Sequence, residues 1–222
     1  VEASQQNHAR RVYAAPLARF VLCPLILCGD QPDPMIQYRR EQSPTRTGIS
    51  AMSLAGSFLV AQPSLIDPNF AQTVVLILAH NEEGAFGLVV NRPAQKAALP
   101  FPVFHGGPCP APGLFMLHGH RNWLDDDAPE PDEENPKREV APGIFLGDAS
   151  CLKRAHQVSA GETLNFRAFQ GYAGWGTGQL EIELKSGAWL TTPADSDLLF
   201  ATPVESLWRL LAPPRLPRPS VN

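Results

Sequence analysis

The segment Gly171-Tyr172-Ala173-Gly174-Trp175-Gly176-Thr177-Gly178-Gln179-Leu180-Glu181 constrains this chain more than any other. Four glycines and two large aromatics fall within eleven residues, between two patterned apolar segments. Glycine admits positive φ and lets a neighbouring backbone approach closely. The stretch therefore predicts a tight, closely packed connection and a candidate pocket wall. Tyr172 and Trp175 would anchor it, and their polar tips need partners if buried.

The two ends of the chain differ from its middle. Residues 1–51 hold Arg10-Arg11, Arg39-Arg40 and scattered Pro and Gln, and 212–222 hold four prolines and two arginines. Residues 52–211 carry most of the repeating apolar pattern and are long enough to bury a core, so they read as one domain between two extensions. In 52–211, 10 Lys/Arg oppose 18 Asp/Glu, a net −8, against −4 for the whole chain. Such a body repels phosphate backbones unless its cations cluster, which counts against direct DNA binding.

Arg19 to Cys28 imitates a secretory signal, with a basic stretch before a short apolar one. Pro24 interrupts that run, and Leu27 is not the small residue a cleavage site prefers. The pattern favours an upstream start, with Met52 or Met35 as initiator, or a disordered extension, over a working signal. Cys23, Cys28, Cys109 and Cys151 read as free thiols, because a domain of this size needs no disulfide framework. No run of 18 apolar residues occurs, so no spanning helix is predicted.

Along the domain, 57–61, 73–78, 86–90, 103–105, 114–118, 144–146 and 164–169 read as strands. Asp67-Pro68-Asn69-Phe70 reads as a turn. His80 to Gly84 forms a polar turn that makes a hairpin with a longer loop. Residues 125–139, with eight acidic residues, two basic ones and three prolines, predict a solvated surface loop rather than a metal site. Asp148 caps a helix running through 152 to about 158. At 180–184, period two predicts a strand, while the glycine turn with Gln179 and Glu181 suits a helix N-terminus. Residues 189–190 and 198–200 look like strand pieces. A closing helix runs to Leu211, with Thr202 as N-cap, Pro203 at the first helical position and Glu205 as capping-box partner. This order predicts an α+β domain with a mainly antiparallel sheet.

Gly56-Ser57-Phe58-Leu59-Val60-Ala61, Asp67-Pro68-Asn69-Phe70, Thr73-Val74-Val75, His80, Gly84-Ala85-Phe86-Gly87-Leu88, Asn91-Arg92-Pro93, Gly106-Gly107-Pro108, Gly171 to Trp175, Gly178 to Glu181 and Ala188-Trp189-Leu190 occur in that order. Together they closely resemble the bacterial YqgE/AlgH family, over about 52–211. The resemblance implies a cytoplasmic single domain, a partly closed antiparallel sheet flanked by helices, and a helix over 179–185. Some members of that family are labelled transcriptional regulators, but no catalytic residue carries over. The chain departs from the family pattern in the short 93–105 segment, the acidic 125–139 stretch, Ile182 and Cys109. Those departures weaken any ligand role for 93–105 and 125–139.

Asp67, Asn69, His80, Asn91, Arg92 and Gln179 form a candidate polar cluster, with Gly106, Gly107, Tyr172 and Trp175 as walls of a small-ligand pocket. The plainer alternative is that Asp67 and Asn69 satisfy a turn and Asn91-Arg92-Pro93 ends a strand. Gly174-x-Gly176-x-Gly178 departs from the phosphate-cradling spacing and is followed by Glu181 and Glu183, so packing is the better reading. His105, His118 and His120 could hold zinc only if their strand continued past Gly119. Cys109 with His105 could form an activated thiol, although an inert one is commoner. The sequence therefore predicts a module that binds a small ligand or a protein partner, without cofactor or metal and without DNA contact. The alternative is an enzyme using a cleft near His80, Asn91 and Tyr172.

Overall fold

The computed structural model describes residues 53–94, 99, 101–123, 139–158 and 164–213. The readings for the extension over 1–51, the acidic run over 125–138 and the tail from 214 fall outside these residues. Nine strands share one sheet: β1 (Ser57–Ala61), β2 (Val74–Asn81), β3 (Gly84–Val89), β4 (Val103–His105), β5 (Cys109–His118), β6 (Glu139–Ala141), β7 (Ile144–Leu146), β8 (Phe166–Gly176) and β9 (Trp189–Pro193). The order is β6-β7-β5-β8-β3-β2-β1-β9, with β4 beside β8. Every pairing is antiparallel except β4–β8. With helices α1 (Ala149–Gln157), α2 (Gln179–Lys185) and α3 (Val204–Leu211), this makes an α+β fold.

Strand β2 is buried along its length except at Asn81. That burial on both faces accounts for its near-continuous apolar run. Beside it, the sheet curls. The Val140 carbonyl of β6 comes so close to Gly56, just before β1, that a Cβ there would lie 2.6 Å from it. No ladder joins β6 to β1 or to the other edge strand, β9, among the described residues. The main core gathers Phe58, Leu76, Phe86, Leu88, Phe169 and Trp175, and a second cluster forms around Phe101, Met116, Cys151 and Phe166.

The glycine-rich segment is not the connection that its composition predicts. Residues up to Gly176 lie inside β8, and only Thr177 and Gly178 turn before α2. At Gly171 (φ +74°) β8 changes neighbours. Phe166 to Gln170 pair with β4 and β5, whereas Ala173 to Gly176 pair with β3. A Cβ at Gly171 would sit 2.7 Å from the Cys109 carbonyl, and one at Gly107 would sit 2.2 Å from that of Tyr172. Two backbones therefore cross with no room for a side chain, and glycine serves close approach within the sheet rather than chain reversal.

Other expectations shift at element ends. The β2–β3 turn is only Glu82-Glu83, and Asn81 Oδ1 accepts the Glu83 N–H at 2.8 Å. His80 therefore lies in the sheet and not in a loop. Residues 180–184 are helical. Glu183 is buried and Ile182 is 59% exposed, the reverse of what a strand's alternation would give. Asp148 caps α1 by accepting from Ser150 N and Cys151 N, as predicted. The expected strand piece at 198–200 is a π-helical turn (Asp197–Ala201). Helix α3 begins at Val204, with Pro203 rather than Thr202 at its cap and no side-chain hydrogen bond there. Cys109 is disulfide-bonded, against the free thiol expected, while Cys151 is a free buried thiol. No helix among the described residues is long and apolar enough to cross a membrane.

Candidate functional site

Strand β2 separates two polar groups. At its start, Asp67 Oδ1 accepts the Asn69 N–H at 2.8 Å, closing a turn. Gln72 then takes φ +60°, the one positive value outside glycine among the described residues. Asn91 holds this loop in place of a backbone partner: its Oδ1 accepts from Val74 N at 2.8 Å and its Nδ2 donates to the Gln72 carbonyl at 3.0 Å. Arg92 donates from Nη1 to the Pro68 carbonyl at 3.3 Å and from Nη2 to that of Ala71 at 2.9 Å. Asn91 and Arg92 thus latch the 67–72 loop to the end of β3.

Next to this latch lies a cleft of about 380 Å3, whose far wall is α3. Arg92, Pro93 and His105 face Val204, Trp208 and Arg209 across it. Trp208 is buried and donates its indole N–H to the Ala61 carbonyl at 2.7 Å, fixing the wall. His105, Arg209 and Glu205 are exposed. Among the described residues none of those three side chains makes a hydrogen bond or ion pair. A larger hollow of about 720 Å3 lies between Pro142-Gly143 and residues 195–203. It contains none of the candidate site residues.

The far end of β2 is closed. His80 Nδ1 accepts the Leu54 N–H at 3.1 Å, so the ring proton sits on Nε2, which faces Glu181 Oε1 at 2.7 Å. Burial raises the Glu181 carboxyl, but its backbone hydrogen bond, the His80 hydrogen bond and Lys185 outweigh this and leave it below its ordinary value. Two residues on, buried Glu183 binds three side-chain donors. Its Oε2 accepts from the indoles of Trp175 (2.9 Å) and Trp189 (2.8 Å), and its Oε1 accepts from Gln179 Nε2 (2.9 Å). Gln179 Oε1 in turn accepts from Gly176 N at 3.1 Å.

The candidate residues therefore divide. Asp67, Asn69, Asn91 and Arg92 gather at the start of β2, and His80, Trp175 and Gln179 at its end, six residues or about 20 Å away at ~3.3 Å per residue. Tyr172 is buried against Phe86, with ring centroids 5.3 Å apart, and belongs to neither group. Gly106 and Gly107 belong to the strand crossing at Gly171. His118 is fully buried, with Nε2 3.6 Å from Cys151 Sγ, and His120 stacks on Trp123 at 4.4 Å. Burial lowers the His120 pKa. No cluster of three metal-ligating residues forms among the described residues.

Sequence reasoning missed Glu183, Trp189 and Arg167. Arg167 is 5% exposed, donates to the Val90 carbonyl at 3.0 Å and lies 4.9 Å from the centre of the Phe104 ring. Burial pushes its guanidinium down to about 10, still charged at neutral pH. Within an apolar strand its only signal was its place between Phe166 and Ala168.

The model of the AlgH-like family DUF179 matches residues 58–213. A UPF0301 protein of Thioalkalivibrio sulfidiphilus is 35% identical, over 73% of this chain and 90% of its own length. A UPF0301 protein of Xanthomonas oryzae is 36% identical, over 72% of this chain and 87% of its own. The solution structure of AlgH from Pseudomonas aeruginosa superposes with a TM-score of 0.51 at 34% identity, covering 74% of this chain and 89% of that one. A Corynebacterium diphtheriae protein of 23% identity and TM-score 0.56 shares the fold. The chain belongs to the AlgH-like family.

Proposed function

We propose that this AlgH-like protein is a cytoplasmic, non-enzymatic regulatory module that acts through a small ligand or a protein partner rather than by gripping DNA. The cleft beside Asn91 and Arg92 is its binding site. One observation carries the reading: among the described residues Arg209 and His105 face a concavity without internal partners, whereas His80 is bonded through both ring nitrogens. The first arrangement is available to a visitor and the second is not. The −8 balance of 52–211 supports the exclusion of DNA, because duplex affinity grows with the number of phosphates neutralised.

A thermal-shift panel of metabolites tests this proposal. A ligand specific to the native state raises Tm by mass action, and the rise is expected from at least one small compound that the protein does not turn over. Turnover of a hit would overturn the non-enzymatic reading. A DNA mobility shift that weakens steeply with salt would overturn the exclusion of nucleic acid.

A further inference from the structure

We infer that the cleft beside Arg92 is an oxyanion site, taking a carboxylate or phosphate monoester with a short apolar body. This inference rests on the binding-module reading and specifies its ligand. Arg92 supplies the fixed element. Two of its N–H groups bind the Pro68 and Ala71 carbonyls, which leaves three of a guanidinium's five donors. A fork already held in place loses little freedom when it meets a planar anion. His105 and Arg209 complete a ring of three basic side chains around one concavity. This concentration stands out in a domain where acids outnumber bases 18 to 10.

The walls set the rest of the ligand. Pro93, Val204 and the edge of Trp208 are apolar, and about 380 Å3 lies at the small end of ligand pockets. A single anionic group with a compact apolar body fits that lining, and a polyanion does not. Among the described residues Glu205 is the one acidic side chain lining the cleft, four residues before Arg209 on α3. That is the favourable order for a helical pair, so Glu205 competes with the ligand for Arg209.

Titration calorimetry on the full chain tests the assignment with benzoate, phenyl phosphate and the neutral isostere benzamide. At least one of the two anions binds, and benzamide binds at least about tenfold more weakly, the factor that a single charge-assisted contact supplies. Whichever anion binds more tightly identifies the ligand as carboxylate or phosphate. Arg209→Ala and His105→Ala alter exposed side chains and leave the fold intact. Each weakens the anion, Arg209→Ala by about tenfold, while Glu205→Gln tightens it. Equal binding of benzamide, or indifference to all three substitutions, overturns the oxyanion assignment and leaves a binding module of another specificity. Failure of all three compounds to bind also overturns it, and the module reading then stands or falls on the metabolite panel.

Discussion

The two ends of β2 use similar polar side chains to opposite effect. At the His80 end, the side chains of Gln179, Glu181 and Glu183 on α2 are bonded within the protein: two indoles and an amide converge on Glu183, and a backbone N–H and the Glu181 carboxylate bracket His80. At the Asn91 end, the latch is satisfied, but His105 and Arg209 just beyond it have no partner among the described residues. A satisfied buried network specifies a fold, because an orphaned group in a low dielectric is costly. An unsatisfied exposed one costs little and stays open to a ligand. The lesson is that a polar residue's role depends on whether its valences are filled, not on its chemical type.

Substitutions can break this contrast at either end. The largest effect falls on Glu183. Replacing it with Ala orphans two buried indole N–H groups and Gln179, and should lower unfolding stability in urea by about 4 kcal/mol. Glu183→Gln keeps an acceptor and should lose about half as much. A loss under about 1 kcal/mol for Glu183→Ala would remove the claim that this end holds the fold. Arg92→Ala should cost about 1–2 kcal/mol, the worth of two hydrogen bonds to carbonyls, and should speed amide exchange across the 67–72 loop.

A smaller effect sharpens the comparison through pH. The folded Glu181 carboxyl sits below its ordinary value, so its contribution is present above the unfolded pKa and disappears as pH falls through the folded one. The side chain is 40% exposed, which keeps the contribution under about 1 kcal/mol. The wild-type minus Glu181→Gln stability difference should shrink between neutral and acid pH, and a flat difference would mean the His80 contact is inert. The smallest effect belongs to the open end: Arg209→Ala should change stability by no more than about 0.5 kcal/mol.

Much of this fold was legible from the residues. The apolar runs of β2 and β3 and the Asp148 cap declare themselves through composition and position. The glycine segment misled because glycine permits both reversal and close approach, and only the crossing with Gly106-Gly107 decides between them. The ambiguity at 180–184 arose because both strand and helix can bury Leu180 and Leu184. What separates them is the burial of Glu183, which depends on Trp175 and Trp189 arriving from other strands. Asp67, Asn91 and Arg92 came together as a group, while His80 and Gln179 were drawn in by residue type alone, since sequence does not measure the length of β2. Arg209 lay unnoticed because its importance comes from α3 facing a cleft that no local pattern encodes.

Backbone-amide NMR mapping of phenyl phosphate on the labelled full chain tests the division of labour most directly. The account predicts that the largest shift changes cluster at Arg92, His105, Val204 and Arg209, with residues 178–183 unmoved. Changes centred on Gly178 to Glu181, with the α3 cleft silent, would contradict it and move the binding site to the His80 end of the sheet.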